Sequence, residues 1–209
     1  MIRILIADDH SIVRKGLKQI LMEEFPDVHI SEANDGTELL RKSREGEWNI
    51  IISDLTMPGR NGLETLKILK TEFPKIPVLI VSMHPEDHYA IRVIKAGAAG
   101  YLTKEKASDE LIIAVRKILE GKRYITSTLA EKLADSLDQN PNKLLHETLS
   151  DREFDVMKLI ASGKTLSEIA AILFLSVTTV STYRARILWK TNMKTNAELT
   201  RYAIQNELV

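Results

Sequence analysis

Three aspartates carry the most legible chemistry in this chain. Asp54 ends the apolar run Trp48-Asn49-Ile50-Ile51-Ile52-Ser53 and is followed at once by Leu55-Thr56-Met57-Pro58-Gly59, so a carboxylate closes a hydrophobic strand just before a Pro/Gly loop. Asp8 and Asp9 close another apolar run, Ile2-Arg3-Ile4-Leu5-Ile6-Ala7. The carboxyl ends of strands are where open α/β sheets bind ligands, and parallel neighbouring strands would bring the three acids together. Such a cluster repels itself unless a cation enters. A hard, oxygen-seeking ion such as Mg²⁺ relieves the repulsion and leaves coordination positions for an incoming phosphoryl group.

Within that chemistry Asp54 is the candidate nucleophile, because it alone heads the 56–62 loop, while Asp8 and Asp9 suit metal coordination. A phosphoryl group has equatorial oxygens that need donors. Ser82 ends one further apolar strand and Lys104 follows another, so both fall on the same sheet edge and can supply a hydroxyl and an ammonium. Taken singly, an Asp at a strand end is usually a cap or turn former and a Lys after a strand is usually solvated. The weight lies in their joint placement after four different strands.

The elements that must position these residues are periodic. Ile2–Ala7, Val28–Ala33, Ile50–Ser53, Val78–Ser82 and Gly100–Thr103 are short apolar runs bounded by turn or charged residues, and read as strands. Between them Ile12, Val13, Leu17, Ile20 and Leu21, then Leu63, Leu66, Ile68, Leu69 and Phe73, recur at helical spacing, as do the apolar residues from Ile91 to Ala96. A last helix over 108–119 is expected to take Ser108 as N-cap, to bury Leu111, Ile112, Val115, Ile118 and Leu119, and to stop at Gly121. Strands alternating with helices predict an α/β fold with a five-stranded doubly wound parallel sheet.

Beyond Gly121 the pattern weakens. Leu129, Leu133 and Leu137 predict a short amphipathic helix, and Asp138-Gln139-Asn140-Pro141-Asn142 is a polar turn cluster that reads as an interdomain linker, with the boundary near Asn140. Ser150 followed by Glu153 is a capping box opening a helix, and helices over about 166–174, 177–190 and 197–206 follow. Two of these are joined only by Leu175-Ser176, the outline of a small all-α helix-turn-helix domain. The expected divisions are therefore 1–121, a linker with a short helix over 122–147, and 148–209.

Composition bounds the rest. Apolar residues are 44% and charged residues 28% of 209, which is ordinary for a globular chain with a core. Without cysteine, disulfide frameworks and thiolate metal sites are excluded. No apolar run approaches the ~18 residues needed to span a bilayer, and Ile4 to Ala7 runs straight into Asp8-Asp9 instead of forming a signal peptide, so the expectation is a cytosolic, soluble protein without a membrane partner. The scattered histidines read as structural or solvent-exposed, not as ligands.

The helix beginning near Val177 has Ser176 as a suitable N-cap and Val180, Tyr183, Ile187 and Leu188 as its inner stripe. Thr178, Thr179, Ser181, Thr182, Ala185, Arg186 and Lys190 are left outward or lateral. Small polar residues in front with Arg184, Arg186, Lys190 and Lys194 behind suit a helix that enters a major groove while phosphates hold its flanks. From Thr178 to Arg201 five basic residues face one acid, Glu198. That surplus is modest, so a monomer should bind weakly and a pair on adjacent half-sites should gain by linked binding.

The set Asp8-Asp9, Asp54 to Gly62, Ser82 and Gly100-Tyr101-Leu102-Thr103-Lys104 resembles the flavodoxin-like receiver domain of bacterial two-component response regulators. The tail, with Leu149-Ser-Asp-Arg-Glu153, Ile169-Ala170, Leu175 to Val180 and Ala197-Glu198-Leu199, is similar to the helix-turn-helix of the NarL/FixJ (LuxR-type) group. The resemblance implies that Asp54 accepts phosphate from a sensor histidine kinase, with Asp8, Asp9, Asp54 and the Thr56 carbonyl holding Mg²⁺. It implies further that Ser82 and Lys104 bind the phosphoryl oxygens and that Tyr101 is the switch aromatic. Thr178, Thr179, Ser181, Thr182, Arg184, Ala185, Arg186 and Lys190 would contact double-stranded promoter DNA.

A homodimer forming on phosphorylation is expected, with RNA polymerase as a further partner, and the chain is expected not to be an enzyme beyond slow autodephosphorylation. The sequence departs from the group's pattern at Ser181, Tyr183, Trp189 and Thr191, the last standing where a hydrophobic residue is usual. Two other readings compete. An aspartate-nucleophile phosphatase of the HAD type would share the first step, but position 56 is Thr and supplies no general acid. A protein-interaction module would use the helical tail on a polymerase subunit or another regulator instead of DNA.

Overall fold

The computed structural model describes residues 1–57, 62–135 and 144–209, apart from the side chains of Asp87, His88, Lys132 and Asp135. The 58–61 stretch of the loop after Asp54, Leu137 and the expected 138–142 linker with its boundary lie outside the described residues. The chain divides into two compact units, Met1–Leu137 and Asp138–Val209.

In the first unit β1 (Ile2–Ala7), β2 (Val28–Ala33), β3 (Ile50–Ser53), β4 (Val78–Ser82) and β5 (Gly100–Thr103) form one parallel sheet in the order β2-β1-β3-β4-β5. β3 and β4 are buried along their whole length, as a sheet covered on both faces requires. The helices α1 (Ser11–Glu24), α2 (Gly36–Glu45), α3 (Gly62–Glu72) and α4 (Glu86–Lys95) make the crossovers, and α5 (Ala107–Leu119) follows β5. Leu17 and Leu21 of α1 and Leu111, Val115 and Ile118 of α5 join Ile4, Ile6, Ile50, Ile52, Leu79 and Val81 in one apolar core.

The order reverses between β1 and β3, and the register there is fixed by pairs that run up to Ala7 opposite Ser53. The Asp54 amide closes the ladder by donating to the Ala7 carbonyl at 2.8 Å. One residue further on, Asp8 and Asp54 emerge side by side. Across the sheet Ser82 lies opposite Thr103, which puts Lys104 just past the same edge.

Two expectations about α5 meet different outcomes. Gly121 ends it, with φ +79° and its amide on the Ile118 carbonyl. Ser108, however, is not the N-cap: a 3₁₀ turn over Lys104–Lys106 runs directly into Ala107, and the Ser108 hydroxyl instead bonds Asp109. A helix already wound from Ala107 presents no free amides at positions 110–111 for Ser108 to cap. The short helix α6 (Ser127–Asp135) buries Leu129 and packs on α4, and Thr126 at its head donates to Glu86 at 2.6 Å.

The second unit opens with a 3₁₀ turn, Leu145–Thr148, followed by α7 (Asp151–Ala161), α8 (Leu166–Leu173), α9 (Val177–Thr191) and α10 (Asn196–Gln205). The capping box at Ser150 and Glu153 is formed in both directions, and Thr165 with Glu168 makes a second one at α8. Between α8 and α9 the chain turns by 108°, within the range of a helix-turn-helix. Phe154, Val156, Met157, Ile160, Ile169, Val180, Ile187, Leu199 and Ala203 are buried in this unit. No single helix among the described residues is long and apolar enough to cross a membrane.

Gly62, the first residue of α3, tightens the loop that carries Asp54. Its amide donates to the Leu55 carbonyl, and a Cβ there would run into the Leu55 backbone, 2.6 Å from its Cα, which cannot swing aside as a side chain would. Gly62→Ala should therefore lower stability by about 1–3 kcal/mol, as overpacking does; urea denaturation followed by circular dichroism reads this, and an unchanged midpoint would refute it.

Candidate functional site

The site forms at the carboxyl edge of the sheet, where β1 and β3 end. Asp8 and Asp54 are 1% and 4% exposed, far below what an unpaired carboxylate tolerates. Their partner is Lys104, whose Nζ lies 2.6 Å from Asp8 Oδ2 and 2.8 Å from Asp54 Oδ2. The 3₁₀ turn after β5 starts at Lys104 and aims the side chain inward. Thr56 donates its amide to Asp54 Oδ1 at 3.2 Å.

The electrostatics show a deficit of positive charge. Burial holds the Asp54 carboxyl above its ordinary pKa, and the Asp8 charge adds to this, while the Lys104 bond opposes it without prevailing. Burial would push the Lys104 ammonium down, but its bonds to Asp54 and Asp8 carry it above the usual lysine value, so it stays charged. Lys104 offers one positive charge to two buried carboxylates, and Asp9 brings a third. Asp8, Asp9, His10 and Asp54 present ligand atoms that all lie within 4.8 Å of one another. Oxygen-rich donors with surplus negative charge fit a hard divalent cation, and receiver domains bind Mg²⁺ at such an acidic cluster.

His10 is one residue the sequence reading set aside. Its side chain is exposed, as expected, yet its ring nitrogen Nδ1 lies 2.9 Å from Asp9 and 3.3 Å from Asp8, at the rim of the cluster. The signal available was its position next to two aspartates at a strand end. His84 is the second. Its Nε2 lies 3.1 Å from the Thr56 hydroxyl, its amide donates to the Ser82 hydroxyl at 3.2 Å, and its carbonyl accepts from the Tyr101 hydroxyl at 2.7 Å.

Ser82 and Tyr101 are both buried. Ser82 does not touch Lys104 in the way the two aspartates do; its oxygen is engaged by the His84 amide. Burial raises the Tyr101 phenol, a bond with Ser82 opposes the shift, and the Asp54 and Glu86 charges add to it. Asp54, Thr56, Ser82, His84 and Tyr101 are thus linked through single hydrogen bonds, and Glu86, two residues after His84, holds the head of α6.

On α9 the placement of the outward residues is mixed. Ser176 caps the helix by accepting from the Thr179 amide at 3.0 Å. Thr178, Ser181, Thr182, Ala185 and Arg186 are exposed, whereas Thr179 is half-buried. Arg184 is turned back, donating to Asn196 Oδ1 at 2.6 Å, and Lys190 pairs at 2.6 Å with Glu153, a carboxylate only 3% exposed. Thr191 does not loosen the last turn: it is buried and donates its hydroxyl to the Ile187 carbonyl, so its polarity is satisfied inside the helix.

The upward shift of Asp54 has a sign that can be tested. The folded state prefers the protonated form, so ionisation costs stability that grows as pH rises from the usual carboxylate value of about 3.9 through the shifted one. Asp54→Asn should raise the melting temperature at pH 7 in the absence of divalent metal, and the gain should shrink towards pH 4. A gain independent of pH would contradict it.

Comparison with known proteins agrees with this geometry. Residues 4–116 match the response regulator receiver domain and residues 147–203 match the bacterial regulatory proteins of the luxR family. The response regulator UvrY of Escherichia coli strain K12 is 34% identical over 209 residues, covering 100% of this chain and 96% of that protein. The response regulator GacA of Pseudomonas viridiflava is 35% identical over 210 residues, covering 100% and 98%. Among solved structures, RcsB from Salmonella enterica serovar Typhimurium bound to promoter rprA in the presence of a phosphomimetic has a TM-score of 0.67 and 26% identity, covering 97% of this chain and 98% of that one. The chain therefore belongs to the two-component response regulators of the NarL/FixJ family, with a receiver domain and a LuxR-type DNA-binding domain.

Proposed function

We propose that Asp54 is the phosphoacceptor of a switch that controls promoter binding by the second unit. The observation that carries this reading is the Lys104 ammonium held between Asp8 and Asp54 at the sheet edge. An Asp54 carboxylate oxygen forms the new O–P bond while the P–N bond of a phosphohistidine donor breaks, the imidazole keeping the electron pair. A sensor histidine kinase is the donor. Asp8, Asp9, Asp54 and the Thr56 carbonyl would hold Mg²⁺, which neutralises charge on the transferring group when bound. Lys104, already inside the pocket, moves from the carboxylate to a phosphoryl oxygen, and Ser82 turns its hydroxyl from the His84 loop to another.

Phosphorylation adds about −1.5 to −2 charges to a pocket already short of cations. Drawing Ser82 inward frees the His84 amide, and the Tyr101 hydroxyl, bonded to the His84 carbonyl, must follow or lose its partner. That couples Asp54 to the β4–β5 side of the unit and is the two-state element through which a homodimer forms. The chain acts as a phosphoacceptor with at most slow autodephosphorylation and not as a turnover enzyme, working in the cytoplasm with residues 1–121 as receiver, 122–147 as connector and 148–209 as DNA-binding domain. RNA polymerase is a further partner at the promoter.

Asp54→Ala should abolish incorporation of label from ³²P-acetyl phosphate in the presence of Mg²⁺, and EDTA should do the same to the unmodified chain. Retention of label by the variant would end the assignment. On the DNA side the informative cation is Arg186, which is exposed, whereas Lys190→Ala would orphan the buried Glu153 and confuse binding with folding. Arg186→Ala should weaken duplex affinity and lower the slope of log K against log salt by about one; a slope unchanged by the substitution would remove Arg186 from the phosphate contacts.

A further inference from the structure

Trp189 is 82% exposed, near the carboxyl end of α9, and its indole N–H has no partner among the described residues. A single exposed aromatic is common and by itself means little. Its direction on the helix is more informative. At about 100° per residue, Thr178, Thr182, Ala185 and Trp189 fall within an arc of about 60°, and Trp189 lies near its centre. The buried residues Val180, Ile187 and Thr191 occupy the opposite side. Trp189 therefore points directly away from the domain core, along the same line as the small polar residues at the front of the helix, about 16 Å further on at 1.5 Å per residue.

We infer that Trp189 is a contact to the sugar–phosphate wall of the major groove entered by α9, packing its ring on deoxyribose and donating its N–H to a phosphate oxygen. This rests on the DNA-binding reading above. The major groove is about 12 Å wide, so a helix whose front end reaches base edges brings side chains 16 Å behind it to the backbone that borders the groove. The surroundings favour a polyanion. α9 contains no acidic residue, Arg186 is exposed one turn before Trp189, and the exposed Lys194 follows just after the helix. A second copy of the chain meeting this face would set like charges against each other. Thr178, Thr182 and Ala185 leave the front of the stripe low, and a large flat ring at its rear end fills the space between the helix and the groove wall. The contact is neutral and not to a base, so it adds affinity and fixes how far the helix slides in, without adding sequence preference or releasing counterions.

The test uses the full chain and a mixed-sequence duplex of about 30 base pairs at low ionic strength, where backbone contacts alone support binding. Trp48→Phe leaves Trp189 as the only tryptophan, and subtracting the emission of Trp189→Phe from that of the unmodified chain gives the same signal should the Trp48 change unsettle the first unit. Addition of duplex should blue-shift or quench Trp189 emission. Trp189→Ala should weaken binding about tenfold, a loss typical of an aromatic anchor, with the salt slope unchanged, and Trp189→Phe should fall between the two. Binding of duplex with no change in Trp189 emission and full affinity in Trp189→Ala would overturn the inference while leaving the DNA-binding reading intact. A change in emission on concentrating the protein without DNA, and none on adding duplex, would assign the ring to a second copy instead. If the unmodified chain bound no duplex at any salt concentration, both would fall.

Discussion

Two buried carboxylates sharing one ammonium set the terms for the first unit. Asp8 and Asp54 can be as enclosed as they are only because Lys104 is within 2.8 Å of both. An unpaired buried carboxylate is among the costliest groups a fold can carry, so the register that aligns Ala7 with Ser53 and the turn that aims Lys104 inward are not independent features. If either slipped by one residue, an acid would lose its partner, because side chains alternate faces along a strand. The same arrangement is incomplete by design of its charges. One cation for three acids keeps the pocket attractive to a divalent ion, while burial and the Asp8 charge hold the Asp54 carboxyl above its ordinary pKa.

The consequences of that imbalance spread by short covalent and hydrogen-bonded steps. Thr56 follows Asp54 by two residues and meets the His84 ring; His84 follows Ser82 by two residues and accepts from Tyr101; Glu86 follows His84 by two residues and accepts from Thr126. Tyr101 is buried on β5, so its ring cannot leave without opening space beside α4. Tyr124 adds a brace, donating its amide to the Ala99 carbonyl and its hydroxyl to Glu110 on α5. The Asp54 edge of the sheet, the Tyr101 ring and the head of α6 thus belong to one connected polar path through otherwise apolar packing. In a close-packed interior such a path moves between discrete arrangements instead of bending smoothly.

The sheet was almost wholly legible from sequence, and the reason is physical. A parallel sheet covered on both faces needs continuous β-branched runs, and Ile50-Ile51-Ile52 or Val78-Leu79-Ile80-Val81 can hardly do anything else. The acids at their ends were equally plain, because polar residues placed just past an apolar run are either turns or sites. What escaped were features fixed by partners distant in sequence or by local winding. Ser108 had the right type for a cap, yet the 3₁₀ turn before it had already started the helix. Lys190 and Arg184 looked like outward cations until α7 and α10 supplied Glu153 and Asn196. His84 gave no signal at all, since its importance lies in three bonds to residues on other strands and loops.

Those two recruited cations change how the second unit must bind DNA. Of the basic residues on α9, Lys190 ties the recognition helix to the capping-box glutamate of α7, and Arg184 ties it to the start of α10, so charge is spent holding α9 at a fixed angle. That leaves Arg186 as the exposed arginine of the helix, with affinity per monomer correspondingly low. A rigidly held helix with few phosphate contacts binds weakly alone but loses little freedom on binding, and the gain from joining two such units is then largest, because the second contact is made at the high effective concentration set by the first. Weak single-copy binding is what the proposed dimerisation switch requires: were the α9 cations all free to reach phosphates, one copy would hold DNA without a partner.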